Sequence, residues 1–159
     1  MDLGSIGVWS GALRNGERAA IVDACAELEG LGYGTIWFPG GQHAGLADHI
    51  QSILRGTSDV VVATGIVNIW THDPMQTAAE HHTISQAYPG RFLLGLGISH
   101  QHVVEGAGLS YQRPFQKMVS YLDALDAAPI PVPVEERILA SLGPRSLKLA
   151  RDRSRGTHP

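Results

Sequence analysis

Short apolar segments that favour β-strands alternate with helical segments along the whole chain of 159 residues, and this alternation constrains the fold most strongly. Strands are predicted at residues 6–9, 35–38, 59–64, 91–97 and 137–142. Helices are predicted at residues 17–31, 45–55, 73–88, 114–127 and 145–154. About five βα units in succession imply a parallel sheet with right-handed crossovers. An open doubly wound sheet and a (β/α)8 barrel both fit this pattern.

Several boundary residues support these helices. Asn15 is a plausible N-cap of the first helix, and Gly32 stands where a glycine commonly follows a helix end. Asp73 followed by Pro74 is the clearest helix start in the chain, since an acidic N-cap precedes a proline at the first helical position. The proline-rich segment 128–133 predicts an extended surface connection.

Composition and charge exclude several classes of function. Hydrophobic residues make up 43% of the chain and charged residues 17%, which is typical of a folded globular domain. A net charge of −3 gives no electrostatic reason to expect nucleic acid or an anionic membrane as a partner. The chain has no signal-peptide pattern and no apolar run of about 18 residues, so a cytoplasmic location is expected. The single cysteine, Cys25, is predicted to be a buried structural thiol.

In either α/β architecture, ligands bind at the carboxyl ends of the strands. The candidate site residues therefore follow the second, third and fourth predicted strands: Gly40, Gly41 and His43; Gly65, Ile66, Val67 and Asn68; and Gly97, Ser99 and His100. Gly65 interrupts an apolar strand, which indicates a bulge, a kink or a close backbone approach, or only a mild irregularity. His100 is either a proton carrier or an ordinary loop histidine.

Other sites are poorly supported by the sequence. Gly95 and Gly97 begin a dinucleotide-binding pattern, but the third glycine position is His100 and the motif follows the fourth strand instead of the first. The adjacent residues His81 and His82 do not form a zinc-protease motif, and no metal site is predicted. Neither a P-loop nor a nucleophile-elbow motif is present.

Four segments, in order along nearly the whole chain, resemble the luciferase-like monooxygenase family. These are residues 26–37, residues 63–67 followed by Asp73-Pro74, residues 88–97 and residues 142–150. The segment 88–97 contains the pattern G-R-F-x-L-G-L-G, which is the most specific of the four. The chain is most similar to the F420-dependent oxidoreductases of actinobacteria within this family.

The resemblance implies a (β/α)8 barrel that binds a flavin or the deazaflavin coenzyme F420 at its C-terminal face and transfers hydride to or from a small organic substrate. It also implies a non-proline cis peptide at Gly65–Ile66 that supports the cofactor ring. The ten candidate residues would then divide into a cofactor-binding group and two proton-handling candidates, His100 and His43. An FMN-dependent monooxygenase of the same fold is the alternative.

The chain departs from the family pattern in three respects. Gly40 and Gly41 replace an acidic residue and a histidine that are common after the second strand, and His100 replaces a glutamate found after the fourth strand in several members. A complete barrel needs about 250 residues. Residues 1–159 are therefore expected to be the N-terminal portion of one barrel domain, with strands six to eight missing. Two open sheet edges would favour a homo-oligomer or a non-catalytic association module.

Overall fold

A computed structural model describes residues 1–41 and 44–158 of the chain. Its strands are β1 (Gly7–Trp9), β2 (Thr35–Phe38), β3 (Val61–Thr64), β4 (Val67–Asn68), β5 (Phe92–Gly97), β6 (Arg137–Ala140) and β7 (Thr157–His158). Its helices are α1 (Ala12–Asn15), α2 (Arg18–Gly30), α3 (Leu46–Gly56), α4 (Pro74–Ala87), α5 (Gln101–Gly106), α6 (Pro114–Asp126) and α7 (Pro144–Arg153). A 3₁₀ turn at Val134–Glu136 precedes β6.

The strands form one parallel sheet in the order β1-β2-β3-β5-β6-β7, and β4 pairs with β5 beyond the end of β3. Strand neighbours follow chain order without the reversal that defines a doubly wound sheet. The sheet is therefore a curled half-barrel of six strands, with β3 and β4 sharing one place. The predicted fold class, an α/β incomplete (β/α)8 barrel of about five βα units, is confirmed. Thr157 and His158 form β7, at the position where the sixth barrel strand is expected to begin.

Hydrophobic packing differs on the two sides of the sheet. The larger core lies between the sheet and the helices and includes Ile36, Phe38, Val62 and Leu96. A smaller cluster lines the inner, concave side and consists of Val61, Ala63, Leu93 and Ile138. Alternate residues of each strand point to opposite sides, so both sides are apolar, as expected for parallel strands with helices on one side and a barrel interior on the other.

A β-bulge separates β3 from β4. Ala63 pairs with Leu93, and the next pair that forms on this part of β5 joins Val67 to Leu96. The chain advances four residues along β3 and β4 while β5 advances three, so one extra residue is inserted here. The bulge that the sequence predicts at Gly65 is confirmed.

Two charged side chains fix the opposite, N-terminal edge of the sheet. The guanidinium of Arg91 donates to the backbone carbonyls of Leu54, Thr57 and Val60 at 3.0–3.2 Å. The carboxylate of Glu29 accepts from the backbone N–H groups of residues 58–60. Arg91 thus satisfies carbonyls at the end of α3 and the start of β3, which gives the arginine of the G-R-F pattern a structural role.

The helix boundaries confirm some predictions and correct one. Asp73 accepts a hydrogen bond from the backbone N–H of Gln76, and Gly32 has a φ of 91°, as expected of an N-cap and a residue after a helix end. Asn15, however, is not the N-cap of α2. It is the last residue of α1, and the carboxylate of Glu17 caps α2 instead.

The prediction of a buried thiol is confirmed, because Cys25 is fully buried and burial raises its pKa to about 11. Among the described residues, no helix is both long and apolar enough to cross a membrane.

Candidate functional site

The carboxyl ends of the central strands meet around the peptide between Gly65 and Ile66. The N–H of Gly65 donates to the carbonyl of Phe38 at 2.8 Å, and the carbonyl of Ile66 accepts from the N–H of Gly40 at 3.1 Å. The Gly65–Ile66 peptide bond is cis. The non-proline cis peptide that the family resemblance implies at this position is therefore confirmed.

The hydroxyl of Thr64 holds the strand ends together just before the bulge. Its Oγ1 accepts from the N–H of Gly95 at 2.8 Å and donates to the carbonyl of Gly95 at 3.0 Å. Thr64 is fully buried, so these two backbone groups have no access to water. A side-chain hydroxyl thus replaces the ladder bonds that β3 and β5 lose where the bulge begins.

Three predicted glycines lie close to other groups at this edge, for different reasons. A Cβ on Gly40 would lie 2.8 Å from the Cα of Val67, and one on Gly97 would lie 2.6 Å from the side chain of Ile66. These two glycines allow close packing within the protein itself. A Cβ on Gly65 would instead lie 2.8 Å from Nε1 of Trp9 on the inner side of the half-barrel. The missing side chain of Gly65 therefore lets Trp9 and His158 pack directly against the backbone at the barrel mouth.

Three aromatic side chains that were not predicted as site residues lie around Gly65. The indole N–H of Trp9 donates to the carbonyl of Gly65 at 2.9 Å. The imidazole of His158 stacks on Trp37 with ring centroids 5.0 Å apart and planes inclined by 15°. Nε2 of His158 would lie 3.0 Å from a Cβ on Gly65. Residues from β1, β2 and β7 thus converge on the bulge.

The imidazole of His158 carries hydrogen-bonding nitrogens that the other described residues do not use. Neither of its ring nitrogens has a hydrogen-bond partner within residues 1–41 and 44–158. Partial burial lowers the pKa of His158 because it disfavours the charged imidazolium. A neutral imidazole can both donate and accept a hydrogen bond.

The other residues of the predicted run after β3 mainly contact the protein. Val67 is buried in the helix-side core, so its side chain faces away from the barrel interior. The side-chain oxygen of Asn68 accepts from the N–H of Trp70 at 3.0 Å. Ile66 is half-buried and covers Gly97. Within this run, Gly65 and Ile66 offer the surface that faces the barrel mouth.

The residues predicted after β5 lie at the same edge of the sheet. Ser99 adopts a φ of 55°, and its carbonyl lies 3.5 Å from the hydroxyl of Tyr111, which donates to it. His100 precedes α5 and is exposed, with its ring centroid 5.7 Å from that of His102. Above the strand ends, His100 is exposed and Ser99 is half-buried.

The turn after β2 is described only in part. Gly41 is exposed with a φ of 64°, and a Cβ there would lie 3.5 Å from the side chain of Arg14. His43 lies outside the described residues. Of the two proton-handling candidates, only His100 therefore lies in the described part of the chain.

The described residues offer neither a free arginine cluster on α7 nor a group of metal ligands. Arg153 forms ion pairs with Asp123 and Asp126, and Arg151 pairs with Asp152, so these arginines of α7 are engaged within the protein. Across residues 1–41 and 44–158, no three His, Cys, Asp or Glu side chains are grouped closely enough to hold a metal ion.

Comparison with known proteins identifies both the sequence pattern and the fold. The family model described as luciferase-like monooxygenase matches residues 5–159. A search of curated proteins finds no match to the sequence.

Solved structures match the fold at low sequence identity. An F420-dependent secondary alcohol dehydrogenase in complex with an F420-acetone adduct matches with a TM-score of 0.74 and 19% identity, over 95% of this chain and 56% of that one. The coenzyme F420-dependent tetrahydromethanopterin reductase from Methanopyrus kandleri matches with a TM-score of 0.70 and 16% identity, over 94% and 53% of the two chains.

A third solved structure contains a different cofactor. The oxygenating constituent of 3,6-diketocamphane monooxygenase from Pseudomonas putida, in complex with FMN, matches with a TM-score of 0.64 and 14% identity, over 79% of this chain and 39% of that one. The chain thus spans about half the length, or less, of these three structures.

Proposed function

Because the chain belongs to the luciferase-like monooxygenase family, we propose that it forms the N-terminal part of an F420-dependent oxidoreductase. The reaction is hydride transfer between the deazaflavin and a small organic substrate. The bound deazaflavin would supply the carbon centre that accepts or releases the hydride. The chain's own residues would position this ring, exclude water from one of its faces and handle a proton.

The observation that carries this proposal is the bulge at Gly65–Ile66. The two consecutive residues face the mouth of the half-barrel, where Trp9 and His158 pack against the backbone of Gly65 because it carries no side chain. A planar heteroaromatic ring is the shape of ligand that such a backbone surface accepts, because no side chain projects from Gly65. The residues present therefore fit a flavin or deazaflavin ring.

Each candidate residue has a role in this proposal. Gly65 and Ile66 contact one face of the ring, and Gly40 and Gly97 allow the neighbouring strand ends to support that peptide. Gly41, Val67, Asn68 and Ser99 complete the surrounding turns. His100, or His43, exchanges a proton with the substrate when hydride is transferred. These assignments rest on position at the carboxyl edge of the sheet.

Titration of the natural full-length protein with F420 and with FMN tests the proposal. Binding is followed by the change in cofactor fluorescence and in the absorption spectrum. Gly65→Val should abolish or strongly weaken binding, since its side chain would collide with Trp9 and His158 and displace them from the bulge. Gly30→Val is the matched control, because no atom lies within 4 Å of a Cβ at Gly30. Unchanged affinity in Gly65→Val would refute the assignment of the bulge.

A second candidate function is an FMN-dependent monooxygenase. The structural similarity to an FMN-containing oxygenating enzyme from Pseudomonas putida supports it. The same titrations separate the two candidates: tighter binding of FMN than of F420, followed by oxygen consumption with the reduced flavin, would favour the monooxygenase.

A non-catalytic association module is the third candidate, and exposed apolar residues next to the first strand and after β6 support it. Ile6 beside β1 is 62% exposed, and Leu142 after β6 is 82% exposed. Exposed apolar groups near open strand edges favour self-association, and a homo-oligomer is the simplest assembly that covers them. A stable oligomer that binds neither cofactor would favour this function over both enzymatic ones.

A further inference from the structure

His158 is a titratable residue on the inner side of the half-barrel that the assignments above do not use. It lies in β7, whose Thr157 and His158 pair with Leu139 and Ala140 of β6. Its imidazole lies against Trp37 of β2, although β7 and β2 are not neighbours in the sheet. The curvature of the sheet brings these strands together across the barrel interior.

The orientation of the His158 ring is fixed by its neighbours. The imidazole stacks nearly parallel on the indole of Trp37, with planes inclined by 15°. Its two nitrogens therefore point along the indole surface instead of away from it. Its Nε2 atom lies within 3.0 Å of the position that a Cβ on Gly65 would occupy. A group seated on the Gly65–Ile66 peptide at the barrel mouth would therefore lie next to this nitrogen.

Hydrogen bonds among the described residues do not account for the position of Nε2 of His158. Trp9, the other polar group beside Gly65, uses its indole N–H on the Gly65 carbonyl. His158 has no such bond, and His158 is partly shielded from water by Trp37. A half-buried imidazole that stacks on Trp37 beside Gly65, and whose nitrogens bond to no group within residues 1–41 and 44–158, has the arrangement of a ligand-binding group.

We propose that His158 binds the cofactor ring directly, with one imidazole nitrogen hydrogen bonded to the polar edge of the flavin or deazaflavin. Both rings carry a pyrimidinedione edge with two carbonyls and an N–H, so a neutral imidazole can donate to a carbonyl or accept from the N–H. Trp37 holds the imidazole in place, and Trp9 and the Gly65–Ile66 peptide form the adjoining surface. This inference rests on the proposed cofactor function.

Cofactor affinity in three variants of the natural full-length protein tests the role of the nitrogen. His158→Phe keeps an aromatic ring on Trp37 but removes both nitrogens, and should raise the Kd for the cofactor roughly tenfold, as expected for one lost hydrogen bond in a shielded site. His158→Gln restores a donor and an acceptor and should remain within about threefold of the wild type. His82→Phe is the matched control, because His82 is a half-buried histidine on α4 outside the site.

A spectroscopic measurement on the wild type gives a second readout that does not depend on comparing affinities between variants. The imidazole nitrogen signals of His158, assigned by their absence in the His158→Gln spectrum, should shift when F420 or FMN is added. Unmoved signals in a protein that does bind a cofactor overturn the inference.

The possible failures can be distinguished. A wild type that binds F420 or FMN while His158→Phe binds equally well overturns the role of His158 and leaves the proposed function intact. Equal weakening in the Phe and Gln variants overturns the hydrogen bond. A wild type that binds neither cofactor overturns the proposed function and this inference with it.

Discussion

Replacing Thr64 with valine tests whether its hydroxyl holds the two sides of the bulge together. Valine has nearly the same shape and favours strands, so packing is preserved while the hydroxyl is lost. The N–H and the carbonyl of Gly95 both bond to this hydroxyl, and both are buried. Leaving a buried polar group unsatisfied costs about 1–3 kcal/mol, so two such groups predict a loss of about 2–6 kcal/mol.

Urea unfolding followed by circular dichroism, with a parallel thermal melt, measures this loss. A domain of this size loses about 2–4 °C in Tm per kcal/mol, so Thr64→Val should melt roughly 4–24 °C below the wild type. Thr64→Ser keeps the hydroxyl and loses one methyl group, at a cost of about 1 kcal/mol. If the valine variant were as stable as the serine variant, the hydroxyl would not be what joins β3 to β5.

Three other perturbations follow from the structure. Gly97→Ala should destabilise the protein because its Cβ would collide with Ile66, and adding Ile66→Ala should recover much of the loss in the same urea titration. Burial lowers the pKa of His81 to about 4, below its unfolded value near 6.5. The stabilising contribution of neutral His81 should therefore be fully present above pH 6.5, and the free energy of unfolding should fall by up to about 3 kcal/mol as the pH drops to 4. In the His81→Gln variant, the urea midpoints measured across this range should depend less on pH. Cys25 should react with a maleimide only after denaturation, since it is fully buried and its pKa is raised to about 11; rapid labelling of the native protein would contradict this.

The bulge could be predicted from the sequence because its cause is local. Gly65 interrupts an apolar strand, and a glycine in that position commonly marks a bulge or a close approach. The Asp73-Pro74 helix start could be predicted for a similar reason, since its capping bond involves residues only three apart. The family resemblance then added the cis geometry of the Gly65–Ile66 peptide, which no local rule supplies.

Short elements could not be predicted, because their sequences carry little periodicity. The helices α1 and α5 have four and six residues, too few for an amphipathic repeat. The presence of α1 also explains the error at Asn15. Asn is a favoured N-cap, but Asn15 belongs to the end of α1, where its side-chain amide donates to the carbonyl of Gly11. Glu17, a less favoured cap, takes that role for α2.

The inner aromatic group was missed because its members are distant in sequence. Trp9, Trp37 and His158 lie on three strands, and only the curvature of the sheet brings them together. The pairing of Trp9 with Trp37 does place these two residues on one face, so strand alternation could have indicated half of the cluster. No local signal indicates that His158 crosses the interior to reach Trp37.

The single extra residue in the bulge explains why a backbone surface is exposed at the barrel mouth. Before the bulge, Val61 and Ala63 point to the barrel interior. After it, Val67 points to the helix-side core and pairs with Leu96, which lies in the same core. An uninterrupted strand would have turned Val67 inward, because side chains alternate with a period of two. The inserted residue reverses that alternation, so Gly65 and Ile66 face the mouth together. A cofactor ring bound there, as proposed, would meet peptide and glycine instead of a projecting valine, so the shape of the proposed site would follow from the number of residues in the strand.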